Sequence, residues 1–133
     1  MIEARMQKAR RLLEVQRGLQ RLEEAKIAGL RSRQAELAAL QEELIAALNK
    51  DDGLQGLFVV AIVRRLKSLG EEATRLAEEL ERRSAVLRMH AGRAKWAERR
   101  SRVYEQQLAR ARAQKELLEL LERIIPPKDA SLP

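Results

Sequence analysis

The chain has no cysteine. Disulfides, thiolate metal sites and cysteine nucleophiles are therefore excluded. It has one histidine, so a histidine-rich metal site is excluded as well. Aromatic residues make up 2%: one Phe, one Tyr and one Trp. A β or α/β core draws on aromatic and β-branched side chains, and this chain is poor in both. Proline is missing before Pro126, and glycine is sparse. The longest apolar run is Leu57–Val63. A helix that crosses a bilayer needs about 20 apolar residues, so no transmembrane segment is expected. Residues 1–11 are basic with no apolar stretch behind them, so no signal peptide is expected either.

What remains is a chain of 133 residues, room for one folding unit, built mainly from Ala, Leu, Glu, Arg, Gln and Lys. These are strong helix formers, and Leu is too regularly spaced for disorder. The fold class expected is all-α. Turn-forming residues cluster at 49–56, where Asn49, Asp51, Asp52, Gly53 and Gly56 fall together. That divides residues 1–125 into a helix over 3–48, a hinge over 49–56 and a longer helix over 57–125. Pro126-Pro127 ends the last helix, and 126–133 reads as a flexible tail. The alternative ends a helix at Leu69 with Gly70 as its cap and starts another at Glu71. The single long second helix, with a kink allowed at Gly70, is preferred.

Both helices carry heptad seams. In the first, Leu12, Val15, Leu19 and Leu22 follow a/d spacing, and Leu30, Leu37, Leu40, Leu44 and Ala47 resume it. The step of eleven from Leu19 to Leu30 predicts a stutter, beside Gly29. The second helix reads without a slip. Its a positions are Ala73, Leu80, Leu87, Ala94, Ser101, Leu108, Lys115 and Glu122. Its d positions are Leu76, Arg83, His90, Ala97, Tyr104, Ala111, Leu118 and Ile125. Two such helices in sequence predict a long antiparallel coiled-coil hairpin in which the second helix is the longer. At 1.5 Å per residue the second helix overhangs the first by ~35 Å. That overhang carries Leu117, Leu118, Leu120, Leu121, Ile124 and Ile125 on more than one face. With no intrachain partner assigned, it should bind something or fold back. The apolar run 57–63 is expected to cap the hinge end against Leu44, Ile45 and Leu48. A contact tip is the other reading.

No phosphate loop, dinucleotide fingerprint or Ser/His/Asp set is present. Paired glutamates such as Glu23-Glu24 point about 100° apart on a helix and do not share a site. No enzyme is expected, and no catalytic, cofactor or metal residue is assigned. His90 reads as a satisfied seam residue. The net charge of +7 points to acidic partners. Residues 82–112 hold ten Arg or Lys against two Glu, whereas residues 34–52 carry one Lys against five acids. Trp96 falls at a c position, outside the seam, where packing on Arg stems and contact with a partner are both open.

The stretch Trp96-Ala97-Glu98-Arg99-Arg100-Ser101-Arg102-Val103 resembles the W-x-E-[KR]-[KR]-x-R-aliphatic pattern of the FliJ/YscO family. These are the small coiled-coil stalk proteins of flagellar and virulence type III export. The layout is similar too: a short, basic chain, a turn near one third of its length, and a longer second helix. The resemblance implies a fold like the central stalk of rotary ATPases. It also implies a non-enzymatic protein that binds a hexameric export ATPase and contacts the export gate, in the cytoplasm or peripheral at the inner-membrane export machinery. Partner binding is assigned to Trp96, Glu98, Arg99, Arg100, Arg102 and Val103 from the motif, and to Leu117, Leu121 and Ile124 from the overhang. A basic helical nucleic-acid binder and a self-associating structural coiled coil are the alternatives.

Overall fold

A computed structural model describes residues 1–50 and 56–125. Two helices make up the described chain: α1, Ile2–Asn49, and α2, Gly56–Ile124. No strand occurs among the described residues. The protein is an all-α helical hairpin with the second helix the longer. Helix α2 passes through Gly70 without a break, and the Thr74 hydroxyl donates to the Gly70 carbonyl at 3.0 Å. The reading with a helix end at Leu69 is thereby overturned. Expected hinge residues 51–55 and the expected tail 126–133 lie outside the described residues.

The chain groups into two compact units, each holding a segment of both helices. One unit is Gly18–Ala91. Its core is Leu37, Leu69 and Leu76, with Leu30, Leu40, Leu44 and Ala73 packed around them. Leu37 is 1% exposed and Leu69 is 0% exposed. Burying such a side chain contributes about 1.5–3 kcal/mol. Ion pairs flank this core and set the antiparallel direction. The Arg33 guanidinium donates to Glu72 Oε1 from Nη2 at 2.8 Å and from Nε at 3.1 Å. Farther along, Arg83 Nη1 donates to Glu23 Oε1 at 3.2 Å. The numbering falls on α2 as it rises on α1, as an antiparallel pair requires. Glu79 accepts from Arg82 and Arg83, and these hydrogen bonds hold its carboxyl below the usual carboxylate range.

The other unit joins Met1–Arg17 to Gly92–Pro133. Met6, Ala9 and Gln16 of α1 are buried in it, with Ala94, Ala97 and Ser101 of α2. Arg10 pairs with Glu105 at 2.7 Å, and Arg17 lies 4.0 Å from Glu98. The direction is again antiparallel. From 109 to 125 every residue is exposed.

The burial pattern of α2 follows the a/d register expected for it as far as Leu108 and extends it backward through Leu69, Leu66 and Ile62. Its last heptads, with Lys115, Leu118, Glu122 and Ile125, bury nothing. In α1 the expected seam is wrong over its first half. Val15 is 57% exposed and Leu22 is 51% exposed, and Leu12 and Leu19 are exposed as well. The inward positions are Met6, Leu13, Gln20 and Ile27, interleaved with Ala9, Gln16, Glu23, Leu30, Leu37 and Leu44. The second series steps by seven throughout. The first breaks after Ile27: Gln34 is exposed and the inward row becomes Arg33, Leu40 and Ala47. The seam thus shifts beyond Ile27 and not, as expected, on the way from Leu19 to Leu30. The reason is the partner helix. Arg83 sits at a d position and needs a carboxylate opposite it. Turning α1 to bury Leu22 would carry Glu23 away and leave the half-buried guanidinium with Glu79 of its own helix alone.

The expected cap at 57–63 is also overturned in the main. Leu57, Phe58, Val59, Val60 and Val63 are exposed, and only Ile62 is half-buried.

A Cβ built at Gly29 or Gly92 meets no atom within 4 Å, and both residues are exposed within helices. Gly29→Ala and Gly92→Ala are each expected to stabilise the fold by about 0.5–1 kcal/mol, since alanine gives up less backbone entropy in a helix. Thermal unfolding followed by circular dichroism checks this. A lowered midpoint in either variant would show that these glycines are needed for packing.

Candidate partner-binding site

The two helix segments of the Met1–Arg17 and Gly92–Pro133 unit leave a groove beside their seam. On α2, Trp96, Arg100 and Tyr104 stand four residues apart, so they stack along one face. On α1, Arg5, Lys8 and Leu12 follow at spacings of three and four and form the opposite wall. The open groove has a volume of about 430 Å³, with Ala9 in its lining. Its size falls at the lower end of ordinary binding clefts.

Arg100 organises the groove. Its guanidinium carbon lies 5.1 Å from the centroid of the Trp96 ring and 5.8 Å from that of Tyr104. Both distances are within the range of a cation–π contact. A guanidinium in such contacts keeps N–H groups able to donate. None of Arg5, Lys8 or Arg100 forms an ion pair among the described residues. The groove is thus apolar along its floor, cationic at its rim and free of carboxylates.

The nine residues assigned to partner binding do not share one face. Trp96, 53% exposed, and Arg100 belong to the groove. Glu98 and Arg102 lie off it. Arg102 Nη2 donates to Glu98 Oε1 at 2.6 Å, and Glu98 also faces Arg17. Both lie at the other side of the seam from Trp96. Arg99 and Val103 are exposed four residues apart. Leu117, Leu121 and Ile124 are exposed on the far part of α2, at spacings of four and three that place them on one stripe. Leu118, Leu120 and Ile125 widen that stripe, while Lys115, Glu116, Glu119, Glu122 and Arg123 cover the rest of the helix.

Arg5, Lys8, Leu12 and Tyr104 were not among the assigned residues. The aromatic–cation–aromatic spacing Trp96-Arg100-Tyr104 was readable as a helix face. The matching wall was not, because Leu12 reads as part of the α1 seam until that seam is known to pass through Leu13. His90, the seam histidine, is buried in the Gly18–Ala91 unit. No cluster of three or more His, Asp or Glu suited to a metal occurs among the described residues. No described helix is long and apolar enough to cross a membrane.

The chain matches no family model, no curated protein and no solved structure.

Proposed function

We propose that the protein is a non-enzymatic coiled-coil stalk or adaptor of a flagellar or virulence type III export apparatus, and that it binds the export ATPase. One observation carries this reading. Beyond Leu108, α2 continues to Ile124, and from 109 to 125 every residue is exposed, six of them large and apolar. Contiguous apolar surface of this kind marks an interaction site. The motif at 96–103 and the net charge of +7 support the reading. A stalk needs a helical pair that keeps its form and a surface a ring can grip, with no chemistry of its own. On this reading the protein works in the cytoplasm, peripheral to the inner-membrane export machinery, with the export gate as a second contact.

Retention of the chain on an immobilised type III export ATPase tests the proposal. Leu117→Glu with Leu121→Glu should lower the affinity at least tenfold while the helical circular dichroism signal is kept. Equal retention of wild type and variant would overturn the assigned surface.

A second reading draws on the same stripe. Two copies of 113–125 laid antiparallel would bring Glu116 near Arg123 and Lys115 near Glu122 on the two flanks, with the apolar residues between them. Self-association through this segment would then be the function. Sedimentation at several concentrations decides it: a dimer lost in the double variant supports this reading, and a monomer throughout removes it.

A further inference from the structure

We propose that the Trp96 groove is a docking site for an acidic amphipathic helix of a protein partner. The inference deepens the protein-binding reading above and rests on it. A carboxylate of the incoming helix would lie on the N–H edge of Arg100, and an adjacent apolar side chain would lie against Leu12 and Trp96.

Three features of the groove select this occupant. The first is charge. Arg5, Lys8 and Arg100 line the groove, no carboxylate does, and no described acidic residue neutralises them. An anionic partner gains from all three, and a cationic one is repelled. The second is the state of Arg100. Its guanidinium lies within cation–π distance of both Trp96 and Tyr104, which restricts its side chain. A guanidinium fixed in this way can meet a carboxylate in a two-pronged hydrogen bond at little further cost in conformational entropy. The third is the repeat of the walls. Spacings of three and four residues on two antiparallel helices place the contact groups about one helical turn apart. A helix offers side chains at the same interval. An extended peptide, with its period of two, does not.

A nucleic acid would also be attracted by the cations, but its bases need an open aromatic face. Arg100 takes one face of each ring that could serve, which leaves fewer open for stacked bases.

Trp96 is the only tryptophan, so its emission reports on this groove alone. The full-length chain is titrated with a blocked synthetic peptide of Leu, Ala and Glu at helical spacing. The control peptide has every Glu replaced by Lys, and a thymidine oligonucleotide is the third probe. The acidic peptide should give a saturable blue shift, and the basic peptide none. Arg100→Gln should weaken binding about tenfold, the loss expected for one hydrogen-bonded charge pair. Leu12→Glu, read by the anisotropy of labelled peptide, should abolish it. Both substituted residues are exposed, so the fold is kept, as far-ultraviolet circular dichroism will verify. No shift with the acidic peptide, equal response to both peptides, or preference for the oligonucleotide would each overturn the proposal. The same variants separate it from the stalk reading. Peptide binding without ATPase binding keeps the groove and removes the stalk. ATPase retention that Arg100→Gln and Leu12→Glu leave unchanged, with no peptide binding, keeps the stalk and removes the groove.

Discussion

Leu69→Ala is expected to lower the unfolding free energy by about 2–5 kcal/mol, and Leu37→Ala by a similar amount. These are the two largest side chains that the structure buries completely. Each substitution removes their transfer energy and leaves a cavity that two helices, with few neighbours to relax inward, fill poorly. Domains of this size have about 5–15 kcal/mol to lose, so either change should shift urea unfolding by a large part of its range. Leu22→Ala is the contrast. Leu22 looks like a seam residue in the sequence, yet it is half exposed, and its truncation should stay within about 0.5 kcal/mol. A Leu22 variant as damaged as the Leu69 variant would restore the register with the stutter.

The second large effect belongs to Glu23 and Arg83. The Glu23 side chain is 9% exposed and that of Arg83 34%. Glu23 also meets Lys26 at 3.7 Å, and Arg83 meets Glu79 at 3.3 Å. Removing Glu23 alone leaves a guanidinium in the seam without its main acceptor. Glu23→Ala should therefore cost about 2–3 kcal/mol, and Arg83→Ala a comparable amount. Replacing both by Leu should cost nothing or stabilise, because an apolar pair needs no compensation for lost hydration. Urea denaturation of the two single Ala variants and the double Leu variant measures this. A double variant weaker than both singles would show that the ion pair, and not the apolar fit, holds this part of the seam.

The value of that pair is then selectivity of register. It explains which parts of the structure could be read from the sequence. Helix α2 was legible because Leu76, Leu80, Leu87, Ala94 and Ala97 mark one stripe with no competing stripe beside it. The break between the helices was legible because the one asparagine, two aspartates and two glycines fall together at 49–56, whereas the other four glycines stand singly within the helices. In α1 two stripes compete. Leu12, Val15, Leu19 and Leu22 are the more apolar, while the stripe that is buried runs through Gln16, Gln20 and Glu23. Apolarity alone selects the wrong one. The stripe that is buried brings Glu23 to Arg83 on the other helix, and a reading of one helix at a time does not contain that pairing. The same limit applies to the candidate site. Trp96 stood out as a lone aromatic beside the seam. Its wall of Arg5, Lys8 and Leu12 depends on the register of α1 and could not be seen before that register was known. The motif 96–103 was read as one surface, yet a helix of 3.6 residues per turn sends Glu98 and Arg102 to the far side of the seam from Trp96.

On the proposed function, the exposed end of α2 over 109–124 is the part that meets another protein. Amide hydrogen exchange of the dilute full-length chain, alone and with a purified type III export ATPase, tests it most directly. Fast exchange is expected throughout 109–125 in the free chain, with marked slowing there once the ATPase is added. Slow exchange in that segment before any partner is present, or unchanged fast exchange after the ATPase is added, would contradict it.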